Sequence, residues 1–231
     1  VKAVELGADV VTVQGGEGGG HTGSVPTTLL LPEVVRSVTV PVVAAGGFKD
    51  GRGLVAALAW GAEGIAMGTR FLMTADSPVP QATKERYVAC RNPADIIVST
   101  AMDGMPQRMV MNEVLAKLER AGPLKKLLIA LRNGLAFRKH SGATMSQLLK
   151  SAIAMQREDG LTPAQAIMSA NAPMIIQRAM VEGKPAEGVL PSGQVAGVIS
   201  DLPSCAELIA RIAAEAEECL SALAKRAGPA S

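Results

Sequence analysis

Val10-Val11-Thr12-Val13-Gln14-Gly15-Gly16-Glu17-Gly18-Gly19-Gly20-His21-Thr22-Gly23 decides the fold. Residues 10–14 form a short β-branched run without clean alternation, the pattern of a strand buried on both faces, and the chain passes at once into a loop dominated by glycine. A helical pattern follows over residues 30–38. The same grammar recurs. Val40, Val42, Val43, Ala44 and Ala45 mark a second strand ending in Gly46-Gly47, and Asp50 is placed to cap a helix over residues 51–60 with Leu54, Val55, Leu58 and Ala59 on one face. Residues 64–68 form a third strand, again ending in glycine. Gly61-Ala62-Glu63 before it repeats the helix exit Gly7-Ala8-Asp9. This spacing predicts parallel βα units.

The third strand runs into Met67-Gly68-Thr69-Arg70, so three successive strands deliver glycine loops to one end of a sheet. In α/β barrels ligands bind at that end. Glycine lets backbone N–H groups approach an oxyanion unobstructed, which suits a phosphate-bearing ligand, although tight βα turns alone also call for glycine. His21 sits in the richest loop, where neither helix nor strand packing asks for imidazole. An imidazole titrating near neutrality can take a substrate proton, so His21 is the candidate general base. Glu17 either orients that ring or caps the loop.

The remaining chain of 231 residues reads differently. Pro78 and Pro80 interrupt it, a helix is expected over residues 81–90, and residues 95–100 and 107–111 read as short strands with Asp103-Gly104 between them. Helical patterns then dominate over residues 112–120, 124–137, 144–156, 162–169 and 173–181, and a long last helix runs from 203 to about 224 with Ser204 near its start. The organisation expected is a partial barrel over residues 1–75, a mainly helical region over 76–190, and a return to the barrel over 191–231.

Twenty-three Lys and Arg balance 21 Asp and Glu, which gives no electrostatic reason to expect nucleic acid. No apolar run reaches the roughly 18 residues of a spanning helix, and no signal-peptide pattern opens the chain, so no membrane partner is expected and the cytoplasm is the expected location. Cys90, Cys205 and Cys219 are widely spaced and suggest neither a disulfide framework nor a zinc site, so no metal is expected. An oligomer is compatible with this composition. Seven basic residues from Lys117 to Lys139, against Glu119 alone, read either as a solvated helix face or as a docking surface for the phosphates of an acyl thioester. The methionines between 102 and 111 are core filler or a surface that adapts to a bulky substrate. His140 reads as a helix-end residue.

Taken together, the block from Gly15 to Gly23, the stretch from Pro41 to Phe48 with Asp50-Gly51-Arg52, and Gly61-Ala62 with Met67-Gly68-Thr69-Arg70-Phe71 resemble the nitronate monooxygenase, or 2-nitropropane dioxygenase, family of FMN-dependent (β/α)8 TIM barrels, to which a flavin-dependent enoyl thioester reductase is related. The resemblance implies that Gly18, Gly19 and Gly20 lie against the flavin, that Gly46, Gly47, Met67, Gly68 and Thr69 hold the FMN ribityl phosphate, and that His21 is the base. Pro191-Ser192-Gly193-Gln194 followed by Asp201-Leu202-Pro203 also looks like the end of such proteins, with Gln194 a further flavin-site candidate. Three βα units cannot close a barrel of eight, so an N-terminally truncated chain is expected. The functions that follow are FMN-dependent oxidation of a nitronate or nitroalkane with O2, oxidoreduction of an acyl-CoA or acyl-carrier thioester, or a non-catalytic remnant.

Overall fold

The computed structural model describes residues 1–122, 128–129 and 171–228. The helices expected over 124–137, 144–156 and 162–169, most of the basic run and His140 lie outside the described residues. The chain divides into two compact units: residues 1–78, 87–96 and 192–231 form the first, and residues 79–86 and 97–191 the second.

In the first unit, a short helix α1 (Lys2–Glu5) ends at Gly7, whose φ of +94° is the left-handed exit that glycine takes without strain. Strands β1 (Val11–Gln14), β3 (Val42–Ala45) and β4 (Gly64–Ala66) form a parallel sheet in the order β1-β3-β4, with Val11 opposite Val42 and Val43 opposite Gly64. A two-residue extended piece, β2 (Gly20–His21), lies in the loop after β1. Helices α2 (Thr27–Ser37) and α3 (Gly51–Ala59) make the connections, so the βα repetition expected from spacing is present. Val13, Leu31, Val42, Ala44, Phe48, Ala57 and Ala62 form the core between sheet and helices.

Burial corrects one expectation. Only the central strand β3 is enclosed, with Val42, Ala44 and Ala45 buried. In β1 Val13 alone is buried while Thr12 and Gln14 are exposed, and β4 has no buried residue. Among the described residues β3 pairs on both sides, whereas β1 and β4 each pair with β3 alone.

Asp50 caps α3, its carboxylate accepting from Gly53 N–H at 2.9 Å. Burial pushes the Asp50 carboxyl up, but hydrogen bonds from Lys49 and Gly53 outweigh it and hold it below the ordinary value. The chain returns to this unit through a 3-10 turn (Gln194–Val198) and the helix α8 (Cys205–Ala227). Ser204 and Glu207 form a reciprocal capping box at the start of α8. Leu208, Ile212 and Ala216 are the buried residues of α8, and the helix crosses α3 at Gly51, where an added Cβ would stand 2.4 Å from Ala216 N and Ile212 O. Glycine there sets the distance between the two helices.

The second unit includes the first turns of α5 (Gln81–Val88), the strands β5 (Ile96–Ser99) and β6 (Gln107–Val110), helices α6 (Glu113–Glu119) and α7 (Asn171–Met180), and β7 (Leu190–Pro191), which pairs antiparallel with β6. Its core gathers Ala101, Met102, Met109, Leu115, Leu118, Ile175 and Val189. Met102 and Met109 are fully buried, so at these two positions methionine fills the core. Among the described residues no helix is long and apolar enough to cross a membrane.

Replacing Gly51 with Ala forces α8 away from α3. The expected loss is about 1 to 3 kcal/mol of unfolding free energy, the usual cost of overpacking, measured by urea denaturation. Gly64→Ala, where an added Cβ meets nothing within 4 Å, serves as the control; equal midpoints for the two variants would remove Gly51 from the account of helix spacing.

Candidate functional site

The ends of β1 and β3 meet at Glu17. Both carboxylate oxygens of Glu17 accept from Thr27 N–H, at 3.2 and 3.0 Å, and Oε2 also accepts from the Thr27 hydroxyl at 2.7 Å. The Gly46 carbonyl lies 3.1 Å from the same hydroxyl oxygen. Glu17 therefore caps α2 from ten residues upstream, a favourable place for a negative charge. Of the two roles open for it in the sequence, the cap is the one the geometry shows. The cap also explains why α2 begins at Thr27 rather than near Leu30: Pro26, the preceding residue, has no side-chain acceptor to offer.

The glycines expected to face a ligand divide into two sets. At Gly18 an added Cβ would fall 2.4 to 2.5 Å from the Gln14 side chain, and at Gly19 it would meet the backbone of Ser192 and Gly193 at 2.5 to 2.6 Å. Protein atoms, not open space, demand glycine at those two positions. At Gly20 and Gly68 nothing stands within 4 Å, and at Gly47 the nearest atom is Glu17 Cβ at 3.5 Å. Gly46 and Gly47 hold φ of +90° and +86°, a left-handed pair that turns the backbone sharply at the end of β3. Gly68 has open space where a side chain would stand, and Gly47, which its positive φ already requires, meets only ordinary contact there; both leave room for a cradle at the ends of β3 and β4, and these residues fit a phosphate-bearing cofactor.

Met67 presents its side chain to the apolar core beside the sheet, which leaves its backbone for any ligand role. Thr69 Oγ1 accepts from Gly193 N–H at 2.8 Å, and Gln194 N–H donates to the Glu17 carbonyl at 2.9 Å. The return segment is therefore stitched to both the first and the third glycine loops, through backbone groups of Gly193 and Gln194. A hydroxyl that accepts one hydrogen bond still has its own hydrogen to donate, so Thr69 keeps a donor. His21 is exposed, and Gln14 Nε2 donates to its carbonyl at 3.0 Å, fixing the backbone of the loop at the histidine.

Sequence reasoning missed Thr27, Gly193, Arg70 and Asp201. Arg70 is 3% exposed and lies 2.9 Å from Asp201, which also receives Arg211 at 2.6 Å. Burial raises the Asp201 carboxyl, yet the hydrogen bond from Arg211 and the charges of both guanidiniums hold it below the ordinary value. Arg70 stands inside the motif Met67-Gly68-Thr69-Arg70-Phe71 already singled out, but nothing local tells that its guanidinium turns inward.

Comparison with known proteins places these features. A family model described as nitronate monooxygenase matches residues 1–215. The (3aS,4S,5R,7aS)-5-hydroxy-7a-methyl-1-oxo-octahydro-1H-indene-4-carboxyl-CoA dehydrogenase of Rhodococcus jostii is 50% identical over 222 residues, covering 96% of this chain and 63% of that protein. Among solved structures, FabK from Thermotoga maritima aligns with TM-score 0.68 and 32% identity, over 96% of this chain and 59% of the other. A nitroalkane oxidase from Streptomyces ansochromogenes aligns with TM-score 0.67 and 27% identity, over 96% and 56%. The chain spans about three fifths of the length of each of these three proteins.

Removing the Glu17 carboxylate strips α2 of its cap. Glu17→Ala is expected to cost about 1 to 2 kcal/mol of stability, the range for losing a cap acceptor, with Glu17→Gln recovering part of it; denaturation curves of the three proteins decide, and coincident curves would show that the contact carries no stability.

Proposed function

The chain belongs to the nitronate monooxygenase family, and on that premise we propose that it is the flavin-binding part of an oxidoreductase that dehydrogenates a carboxyl-CoA thioester, built on a (β/α)8 barrel. The carrying observation is the 50% identity, across nearly the whole chain, with a dehydrogenase named for an octahydro-indene carboxyl-CoA. The cofactor is FMN. When bound, it supplies an acceptor for two electrons.

The chain's own residues hold and orient. Gly46 and Gly47, with the backbone of Met67, Gly68 and Thr69, would hold the ribityl phosphate, and Gly20, where an added Cβ meets nothing within 4 Å, would lie against the flavin. Gly18 and Gly19 act one step back, letting Gln14 and the return segment close up behind that loop. His21 removes the proton on the carbon next to the thioester carbonyl, which acidifies it; an exposed imidazole on a pinned backbone can reach a substrate from outside. The substrate is a small molecule with a large apolar acyl part.

A second reading, oxidation of a nitronate or nitroalkane with O2, is favoured by the likeness to nitroalkane oxidase. It uses the same base, since a nitro group acidifies its neighbouring carbon as a thioester does.

Anaerobic mixing of the intact, FMN-loaded protein with each substrate separates the two readings. Bleaching of the flavin absorption by a fused-ring carboxyl-CoA and not by nitroethane is expected; the reverse would move the protein to the nitronate reading. His21→Ala should retain FMN while turnover falls roughly 10²-fold or more, the scale for a positioned base, and unchanged turnover would dismiss His21. Gly68→Leu should empty the flavin site with the far-ultraviolet circular dichroism unchanged, and full flavin occupancy in that variant would overturn the cradle.

A further inference from the structure

Gly193, in the return segment, has φ −71° and ψ 155°, an extended conformation that any residue adopts. Backbone freedom therefore does not ask for glycine there. Contacts do: an added Cβ would stand 3.1 Å from Thr69 Oγ1, 3.3 Å from the Glu17 carbonyl oxygen and 3.5 Å from Gly19 N. The nearest of these is the hydroxyl oxygen that accepts from Gly193 N–H at 2.8 Å. The Gly193 peptide is buried and held on both sides. The Ser192 hydroxyl donates to the Gly193 carbonyl at 2.9 Å, and Gln194 N–H donates to the Glu17 carbonyl at 2.9 Å.

Thr69 is the second residue of the short helix α4 (Gly68–Leu72). A helical threonine commonly spends its hydroxyl hydrogen on the carbonyl three or four residues earlier. Here those positions are Ala66 and Ile65 of β4, and no described residue accepts from the Thr69 hydroxyl. Its oxygen has one partner among the described residues, the N–H of Gly193. An accepted hydrogen bond fixes one side of a hydroxyl, so its own hydrogen points to another. Thr69 is thus a donor with its acceptor side tied down, next in the chain to Gly68, where an added Cβ meets nothing within 4 Å.

We propose that Gly193 is a positioning residue for the cofactor's phosphate: its N–H holds the Thr69 hydroxyl oxygen, so that the hydroxyl hydrogen is given to a phosphate oxygen, and its missing side chain leaves the room this orientation needs. The inference rests on the FMN reading and deepens it, because it assigns selectivity for the phosphate to a contact between the return segment and the third glycine loop. Gly193 acts through Thr69 and touches no cofactor atom by its side. A hydrogen bond to an ionised phosphate is about twice as strong as one between neutral groups. Misplacing the hydroxyl therefore weakens FMN and spares riboflavin, which lacks that phosphate.

The test measures Kd for FMN and for riboflavin, by flavin fluorescence, in the intact protein and in Gly193→Ala, Thr69→Ser, Thr69→Ala and the double variant Gly193→Ala with Thr69→Ala. Gly193→Ala is expected to weaken FMN about tenfold, the scale of a hydrogen bond to a charged group, and to leave riboflavin unchanged. Thr69→Ser, which keeps the hydroxyl, should keep the preference for FMN. In the Thr69→Ala background there is no hydroxyl to orient, so adding Gly193→Ala should change neither affinity. Equal weakening of both flavins by Gly193→Ala, or the same loss of FMN with and without the Thr69 hydroxyl, overturns the proposal, since either makes Gly193 a packing residue only. Should Gly193→Ala fail to fold, Ser192→Ala, which releases the peptide without adding an atom, is expected to narrow the preference for FMN, and an unchanged preference would be the overturning result. Failure of the cofactor reading looks different: the unaltered protein would bind neither flavin, or both equally, and the inference would fall with it.

Discussion

The contact between the Glu17 carboxylate and Thr27 is the constraint around which the first unit is arranged. Glu17 belongs to the loop after β1, Thr27 opens the helix that leads to β3, and the Thr27 hydroxyl lies against the carbonyl of Gly46 at the end of β3. One side chain therefore relates the exits of two adjacent parallel strands. Its backbone carbonyl does the rest by accepting from Gln194. Parallel strands place their exits about 4.8 Å apart, but nothing in the ladder fixes what the loops beyond them do. A carboxylate at a helix start, accepting from one amide N–H with both oxygens and from a hydroxyl, supplies that order.

Close approach is the second constraint, and it divides the glycines by purpose. Gly18, Gly19 and Gly51 are glycine because another part of the chain occupies the place of a side chain: Gln14, the Ser192–Gly193 backbone, and α8. Gly47 and Gly68 are glycine beside space that the protein does not fill. Both sets look alike in a list of glycine-rich motifs. The first set lets other parts of the chain approach closely, while the second leaves room at the strand ends.

Much of the first unit was legible because its signals are local. The three strands, the Asp50 cap, the Ser204 helix start and the left-handed exits at Gly7 and Gly61 each depend on residues within one turn of themselves. What escaped depends on distant partners. The true start of α2 follows from Glu17 ten positions away, and the inward turn of Arg70 follows from Asp201 at a separation of 131 residues. The exposure of Thr12 and Gln14 in β1 escaped for a related reason: an apolar run states that a strand can be covered, and only its surroundings decide whether it is.

Substrate choice is the step at which the geometry of the strand ends stops discriminating. A thioester and a nitroalkane are both carbon acids, each loses a proton from the carbon beside its activating group, and one imidazole serves either. On the proposed reading the cradle glycines are equally indifferent, since they would address the cofactor's phosphate and not the substrate. Differences in affinity must then come from groups that meet the remainder of the substrate, and for a coenzyme A ester that remainder is dominated by phosphates, which a compact nitronate lacks. On the proposed reading, basic residues would be where the two chemistries part; the run from Lys117 to Lys139 reads in the sequence either as a solvated helix face or as such a docking surface. A fold shared by several activities separates them through such grafted charge rather than through its sheet.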